Sequence, residues 1–407
     1  MTYPNNKIML NVKNDFPVLM NNPNLVYLDS GATALKPKCV IDKLNEYYEQ
    51  YGVNVNRGVY KLSYQATTEY EESRELCAKF LNTKSSEIVF TRGASSALNL
   101  VALSYGMENI NEGDEVISSE LEHHSCILPW QNVCNTKGGI LKYVELDSEG
   151  RITVDAFKKV LTNKTKVVVL THVSNVMGYI TPIKEIIDLA HEVGAVVVVD
   201  AAQSVPHMKV DVKELNCDFL AFSAHKMFGP TGLGVLYGKY KYLKKMKPIE
   251  FGGDMIDEVY KDKSTYKDAP FRFETGTPPI AEAIAFKEAI KYIEKIGYDN
   301  IVAHEKALLD YTMKELLKID GITIYNKSVE TGIIAFNITG VHPHDASTIF
   351  DERDICLRAG HHCAQLIIKW LDTIGTLRAC FYVYNTFEDC DRFIQAVKDS
   401  AKYFKEW

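Results

Sequence analysis

Short hydrophobic runs alternate with helical patterns between residue 86 and about residue 240. The runs are strand-length and rich in β-branched residues: EIVFT (87–91), DEVISS (114–119), ILKYVEL (140–146), KVVVLTHV (166–173), AVVVVD (195–200), DFLAFS (218–223) and GVLYG (234–238). Apolar strands separated by helices are typical of a parallel sheet covered on both faces. This pattern predicts an α/β fold whose mostly parallel sheet is covered by helices.

The pattern changes after residue 240. Lys, Asp and Gly dominate the segment 241–275, which predicts loops. Helical periodicity returns at residue 278 and continues to about residue 318. Further on, strand-like runs again alternate with helical stretches, and these runs are GITIYN, GIIAFNIT, ICLRAG and LRACFYVYN. The C-terminal part is therefore predicted to be a smaller α+β domain.

The length of 407 residues is enough for two or three domains. We expect a large domain over residues 20–290 and a small C-terminal domain over residues 291–407. Residues 1–19 are expected to pack on the small domain. The composition, 46% hydrophobic and 24% charged, is that of an ordinary globular enzyme.

Charge and cysteine content exclude several classes of protein. The net charge of -7 argues against a nucleic-acid-binding protein, whose binding surface is usually basic. The sequence has no run of about 18 apolar residues, so no membrane span is expected. The N-terminus lacks the apolar segment of a secretory signal. Nine cysteines without a Cys-x-x-Cys pair indicate reduced thiols, so we expect a cytoplasmic protein.

Polar residues follow four of the predicted strands, at the end where open α/β sheets bind ligands. Asp200 ends AVVVVD, Lys226 follows DFLAFS, the turn 93–96 follows EIVFT, and His123 follows DEVISS. Each has an ordinary explanation when taken alone. Asp200 could be a helix cap or a metal ligand, and Lys226 could be a surface cation.

Taken together, these residues match the needs of pyridoxal 5'-phosphate (PLP). The cofactor requires an amine for a Schiff base, which Lys226 offers, and an anion beside its ring nitrogen, which Asp200 offers. An aromatic plate over the ring can come from His123. Donors for the phosphate are available at a helix start and at a strand end, namely the turn 93–96, Ser223 and His225.

Two longer motifs, Asp200-Ala-Ala-Gln203 and Ser223-Ala-His225-Lys226-Met-Phe-Gly-Pro, resemble the fold-type I PLP-dependent transferases of the class V aminotransferase group. Three others narrow the resemblance to SUF-type (group II) cysteine desulfurases and selenocysteine lyases, closest to the Gram-positive type. They are Glu122-His-His124, His172-Val-Ser-Asn175-Val and Arg358-Ala-Gly-His-His-Cys363-Ala. The resemblance extends from about residue 28 to residue 386.

This resemblance implies an enzyme that converts L-cysteine to L-alanine and captures the sulfur as a persulfide on Cys363, for iron–sulfur cluster assembly. Selenocysteine lyase is the alternative, which the residues hardly separate. A kynureninase- or epimerase-like activity is disfavoured by the Cys363 motif. A non-catalytic sulfur-assembly subunit is disfavoured because Lys226, Asp200 and Cys363 are intact.

The family's residue roles transfer to matching positions of this chain. The resemblance implies catalytic roles for Lys226, Cys363 and His123, with Arg378 and Asn175 binding the substrate carboxylate and Arg358 lying near the Cys363 loop. It also implies a set of cofactor contacts: Ala94, Ser95, His123, Asp200, Gln203, Ser223, His225, Lys226 and Thr277. Because Thr277 would reach the phosphate held by a partner subunit, a homodimer is expected.

Cys363 stands out among the nine cysteines because of its neighbours. Most free cysteines are buried and inert. Cys363, however, follows Arg358 and two histidines, surroundings that favour the reactive thiolate. The string His-His-Cys also offers zinc-type ligands. Adjacent ligands are poor tetrahedral chelators, and the sequence shows no fourth ligand at a typical spacing, so no metal is expected.

The segment Val341-His342-Pro343-His344-Asp345 opens a predicted helix after GIIAFNIT. One interpretation makes His344 or Asp345 the helix cap, with Pro343 setting the entry. The other follows from the resemblance to the Gram-positive type, which implies that His342 binds the zinc of a SufU-type sulfur acceptor. If His342 is only structural, a SufE-type acceptor or none is favoured.

Overall fold

The computed structural model describes residues 9–405. Its strands are β1 Val26–Tyr27, β2 Ile88–Thr91, β3 Glu115–Ser119, β4 Ile140–Val144, β5 Thr165–Thr171, β6 Val196–Asp200, β7 Phe219–Ser223, β8 Gly234–Gly238, β9 Ile256–Val259, β10 Ser264–Tyr266, β11 Ile322–Ile324, β12 Ile333–Ile338, β13 Ile355–Cys356, β14 Arg358–Gly360 and β15 Thr376–Cys380. Its α-helices are α1 Pro17–Asn21, α2 Lys38–Gln50, α3 Lys61–Phe80, α4 Ala94–Leu100, α5 Met107–Asn109, α6 His124–Lys137, α7 Val154–Val160, α8 Ile183–Glu192, α9 Val212–Leu215, α10 Tyr240–Leu243, α11 Ile280–Ile296, α12 Tyr298–Leu316, α13 Pro343–Asp351, α14 Gln365–Trp370 and α15 Phe387–Lys405. Within this part of the chain, no helix is long and apolar enough to cross a membrane.

All seven strands expected between residues 86 and 240 are present, and they form one sheet in the order β2-β8-β7-β6-β5-β3-β4. β8 runs antiparallel to its neighbours β2 and β7. The remaining neighbours in the sheet pair in parallel. The prediction of a mostly parallel α/β sheet is therefore confirmed.

The valine-rich strands lie at the centre of the sheet because both of their faces are buried. In β6, Val197 and Val199 pack in one hydrophobic core, and Val196 and Val198 pack in another. Successive side chains of a strand point to opposite faces. Two cores drawn from alternate residues of one strand therefore mean that helices cover the sheet on both sides.

A second sheet, antiparallel and four-stranded, has the order β11-β12-β15-β14. Its core contains residues of α12, α13 and α15, together with Val26 and Leu28 from near the N-terminus. The short strand β1 pairs in parallel with β13. This unit is the smaller α+β domain that the sequence predicts.

The proposed division near residue 290 falls inside α11, whose residues up to Ile296 pack in the core of the large sheet. The boundary stays a prediction. Residues 1–8 of the N-terminal segment lie outside the described residues. Leu10 donates its N–H to His304 of α12, whereas Phe16 and Leu19 pack in the core of the large sheet.

One expectation about secondary structure is wrong, and another is confirmed with an added detail. The segment 241–275, expected as loops, contains the antiparallel hairpin β9–β10. Its strands expose most of their side chains, so they lack the hydrophobic signal that marks a strand. The helical stretch expected over 278–318 is two helices, because Gly297 ends α11 with a φ of 83°.

A buried ion pair joins α3 to the segment that precedes α11. Arg74 is 1% exposed, and its guanidinium donates to both carboxylate oxygens of Glu274, at 2.5 and 2.8 Å. The same carboxylate accepts the N–H of Phe90 in β2, at 2.8 Å. Removing one member of such a pair leaves a charge without a partner in a dry environment.

We predict that Glu274→Ala destabilises the fold by about 3 kcal/mol, because the buried Arg74 then keeps only Glu71, whose side chain is 33% exposed, as an ionic partner. Asp188→Ala is the control, since it breaks an exposed i,i+4 pair with Lys184 and should cost at most about 1 kcal/mol. Denaturant titration followed by circular dichroism measures both. Equal losses in the two variants would show that the buried pair is not a main constraint.

Candidate active site

A cavity of about 200 Å³ opens at the carboxyl edge of the large sheet, where the small sheet meets it. The ends of β5, β6 and β7 form its floor. Its lining contains every residue predicted for the site except Thr277 and His342: Ala94, Ser95, His123, Asn175, Asp200, Gln203, Ser223, His225, Lys226, Arg358, Cys363 and Arg378. Residues from both sheets thus converge on one space.

Lys226 and Asp200 form the electrostatic centre of this cavity. Burial lowers the pKa of the Lys226 amine to about 8, although Asp200 acts in the opposite direction. Burial raises the pKa of Asp200, and the N–H of Ala202 and the charge of Lys226 partly offset that effect. The result is an amine that is easily deprotonated beside a carboxylate that needs a cationic partner.

His123 and His225 are held as neutral imidazoles. Burial is the main cause in both, and the neighbouring Lys226 adds to it, so that each pKa falls to about 4. His123 also caps α6, because its Nδ1 accepts the N–H of Ser125 at 3.1 Å. A neutral ring fixed in this way can lie against an aromatic cofactor without repelling a cationic ring nitrogen.

At the start of α4, the N–H of Ala94 donates to the Ser223 hydroxyl at 2.8 Å, and the Ser95 hydroxyl lies 2.5 Å from that of Ser125. Backbone N–H groups at a helix start and hydroxyl groups are the donors that bind phosphate. The cluster therefore offers donors for the phosphate of PLP.

Two further acceptors suit the PLP ring. Gln203 donates its Nε2 to the carbonyl of Gly31 at 2.7 Å, while its buried Oε1 has no hydrogen-bond partner among the described residues. Asp200, 5% exposed, accepts the N–H of Ala202 at one oxygen. An unpaired amide oxygen and a buried carboxylate fit a hydroxyl group and a protonated ring nitrogen. The residues present fit the cofactor.

One end of the cavity centres on Arg378, which is 2% exposed. Its guanidinium donates to the carbonyl of Asn175 at 2.8 Å and to Asp29 at 3.3 Å, and its buried Nε has no partner within residues 9–405. Asp29 also binds Arg358 at 3.0 Å. One guanidinium N–H is therefore free for an anionic ligand.

Cys363 is exposed and lines the cavity. It and His362 adopt consecutive left-handed conformations, with φ of 54° and 53°. Such conformations cost about 1–3 kcal/mol each in residues other than glycine. The His362 carbonyl accepts from Asn175 at 2.8 Å, and its ring Nε2 lies 2.9 Å from the Thr376 hydroxyl. These contacts hold the strained turn that presents the thiol.

Two predicted residues lie elsewhere. Thr277 lines a separate cavity with Arg92 and Phe273. His342 is exposed on the surface, and its Nδ1 accepts the N–H of His344 at the start of α13. The interpretation of His344 or Asp345 as the helix cap is therefore wrong. His342 is itself the cap, because Pro343 occupies the first helical position and has no N–H.

Sequence reasoning missed several residues of the site. Asp29, which binds both arginines, lies in Leu28-Asp-Ser-Gly-Ala-Thr33, where the family resemblance begins, so the motif was visible but its ion pairs were not. Gly31 is needed because a Cβ there would meet the Cys380 sulfur at 2.7 Å and the Arg378 guanidinium carbon at 3.2 Å. Both arise from contacts between segments far apart in sequence.

Comparisons with known proteins find a family model, relatives and solved structures that are similar to nearly the whole chain. The sequence family "Aminotransferase class-V" matches residues 26–393. A probable cysteine desulfurase of Halalkalibacterium halodurans is 50% identical over 397 residues, covering 97% of this chain and 98% of that protein. The structure of an apo cysteine desulfurase from Thermococcus onnurineus NA1 superposes with a TM-score of 0.92 at 41% identity, covering 99% of both chains. That of the cysteine desulfurase CsdA from Escherichia coli gives 0.91 at 36% identity, covering 96% of this chain and 98% of that one.

We predict that PLP added to cofactor-free protein attaches to Lys226 with a rate that rises with pH and has its midpoint near pH 8. The neutral amine is the nucleophile, and a pKa of about 8, below the ordinary 10.5, makes it abundant at that pH. Borohydride trapping and peptide mass spectrometry locate the attachment.

Lys36 is the internal control, because burial also lowers its pKa to about 8, yet its amine is bonded to backbone carbonyls. Label on Lys36, or an unchanged yield of label in Lys226→Ala, would contradict the assignment.

Proposed function

Because this chain belongs to the aminotransferase class-V family, we infer that it is a PLP-dependent enzyme, and specifically a cysteine desulfurase that converts L-cysteine to L-alanine. The observation that carries this function is the single cavity in which Lys226, Asp200 and the exposed thiol of Cys363 meet. Relatives named cysteine desulfurase match nearly the whole chain, and that name favours cysteine over selenocysteine as the substrate.

The cofactor would be held along the cavity floor. Lys226 would provide its covalent attachment, Asp200 the anion for its ring nitrogen, Gln203 a partner for its hydroxyl oxygen, and His123 an aromatic ring to stack on it. Its phosphate would take donors from the α4 start, the end of β7 and the turn after β7, namely Ala94, Ser95, Ser223 and His225. When bound, PLP supplies an electron sink that makes the Cα proton of an amino acid removable.

Arg378 and Asn175 orient the substrate. The free Nε–H of Arg378 is buried, so a substrate carboxylate there forms a charge-assisted hydrogen bond shielded from water. Lys226 Nζ then accepts the Cα proton, and its lowered pKa suits both accepting and returning a proton near neutral pH. His123, neutral and beside the cavity, is the candidate for proton transfer at the substrate sulfur.

Sulfur transfer follows from the position of Cys363. The Cys363 thiolate attacks the sulfur of the bound substrate, so that an S–S bond forms as the substrate C–S bond breaks. The electron pair of the broken bond stays with the three-carbon fragment, which takes up a proton at Cβ, regains the Cα proton from Lys226 and leaves as L-alanine. Cys363 retains the sulfur as a persulfide, and the step needs no external oxidant or reductant.

We also propose a homodimer in which Thr277 completes the phosphate site of a second copy. Thr277 lies outside its own cofactor cavity, which agrees with a role in another copy. Nearby in sequence, Phe271 is exposed, and Val59 is 87% exposed on the loop before α3. Large exposed apolar residues suit a subunit interface.

For the sulfur acceptor we propose a small zinc-bearing protein of the SufU type, bound through His342, in preference to a SufE-type acceptor. A neutral imidazole is a competent zinc ligand, and His342 is exposed. If zinc binds Nε2 of His342, the ring proton moves to Nδ1. Nδ1 can then no longer accept the N–H of His344, so the helix cap is lost. Acceptor binding must therefore offset the loss of a helix cap worth about 1 kcal/mol.

The last proposal concerns the cell compartment and the use of the sulfur. The nine cysteines are free, which fits a reducing cytoplasm. A persulfide handed to an acceptor protein fits iron–sulfur cluster assembly.

We predict that Cys363→Ser binds PLP normally and loses at least 90% of alanine formation from L-cysteine, because a hydroxyl cannot accept the sulfur. Cys39→Ser, which alters another exposed thiol, is the control and should keep full activity. Amino-acid analysis of the reaction measures both variants. Loss of activity in the Cys39 variant alone would show that Cys363 is the wrong thiol.

We predict that His342→Asn abolishes the stimulation of alanine formation by a zinc-bearing acceptor without lowering thermal stability. Asparagine is a good helix cap and a poor zinc ligand, so it separates the two roles. His342→Ala should lose both the stimulation and the stability that the cap provides, and His344→Ala should keep the stimulation. Full stimulation of the Asn variant would leave His342 with only its role as a cap.

A further inference from the structure

The backbone of Cys363 and of Gln365, two residues later, is bonded to a single residue of the large sheet's domain, His124. The N–H of His124 donates to the carbonyl of Cys363 at 2.7 Å. Its imidazole Nε2 accepts the N–H of Gln365 at 3.0 Å. One residue thus contacts Cys363 itself and the residue two positions later, where α14 begins.

His124 can act as an acceptor only if its Nε2 carries no proton. Burial lowers its pKa, and the nearby His361 has the same effect. The neutral form therefore persists at physiological pH, with Nδ1 carrying the proton. The Gln365 side chain lies 3.2 Å from Nδ1 of His361 and adds a weaker link across the turn.

The position of His124 in the chain gives this contact its significance. His123, the preceding residue, caps α6 and lines the cofactor cavity. Consecutive residues at one helix start thus face the cofactor and the nucleophile. The distance between the cofactor cavity and Cys363 is then governed by the short backbone segment of His123 and His124, although the cavity floor and the turn of Cys363 belong to different parts of the fold.

The turn at Cys363 requires such support. His362 and Cys363 both have left-handed backbone conformations, which persist in ordinary residues only when surrounding contacts enforce them. Asn175 holds the His362 carbonyl, on the N-terminal side of the thiol. His124 supplies the contacts at Cys363 and on its C-terminal side.

We propose that His124 is a positioning residue for the sulfur-accepting thiol, holding the 361–365 turn so that Cys363 faces the cofactor cavity. The role in sulfur transfer rests on the proposed desulfurase function, whereas the hold on the turn does not. His124 touches neither the cofactor site nor the substrate site directly. Its removal should affect the nucleophile and spare cofactor binding.

The test compares His124→Ala with His124→Gln in the PLP-bound protein. Alanine removes the acceptor, whereas glutamine can place its Oε1 near the position of Nε2 and restore it. Asn132→Ala, at an exposed position of the same helix, controls for damage to α6. Two quantities are measured: deuterium exchange of the peptide containing Gln365, and the rate of persulfide formation on Cys363 after one addition of L-cysteine.

In His124→Ala we expect exchange at Gln365 to accelerate at least tenfold and persulfide formation to slow at least tenfold, with PLP absorbance and affinity unchanged. The Gln variant should recover most of both losses, and Asn132→Ala should behave as wild type. Unchanged exchange would overturn the hold on the turn, and faster exchange with an unchanged persulfide rate would overturn the positioning role.

If the wild-type protein forms no persulfide, the proposed desulfurase function fails. The positioning of Cys363 for sulfur transfer fails with it, while the exchange measurement, which needs no turnover, still decides whether His124 holds the turn.

Discussion

The cavity depends on keeping the carboxylate of Asp200 buried and charged beside Lys226. Burial alone disfavours both charges, raising the pKa of Asp200 and lowering that of Lys226. The two groups partly compensate one another, and a protonated ring nitrogen would complete the compensation. The sheet enforces this placement, because Asp200 pairs with Thr171 of β5 on one side and Ala221 of β7 on the other. Asp200 therefore cannot move away without breaking strand pairing, and Lys226 follows directly on β7 in a short 3-10 turn.

The nucleophile comes from the other sheet, so its position depends on contacts between the two. Asn175 and His124 hold the turn of Cys363 from the large-sheet side, and Asp29 ties Arg358 to Arg378. The strained backbone at His362 and Cys363 is therefore supported from outside the turn. The contacts on both flanks thus fix where the thiol enters the cavity.

The sequence predicted those parts of the structure that have local or periodic signals. Seven strands were visible because short apolar and β-branched runs alternate with helical patterns, and Asp200 and Lys226 were visible because they end or closely follow such runs. The exposed hairpin β9–β10 has no hydrophobic pattern. The ion pairs of Asp29 and the hold of His124 on Gln365 were missed for a different reason. They join segments hundreds of residues apart, and single-sequence patterns carry no information on such pairing. The cap at His342 was misassigned to His344 or Asp345, because every residue of His-Pro-His-Asp except proline is a possible cap.

The central claim is that sulfur leaves L-cysteine and remains on Cys363 as L-alanine forms. The most direct measurement is one turnover with ³⁴S-labelled L-cysteine, followed by mass spectrometry of the intact protein and of its Cys363 peptide, with alanine quantified in the same sample. We expect one labelled sulfur on Cys363 for each alanine released. Alanine without label on the protein, or label on any other cysteine, would contradict it.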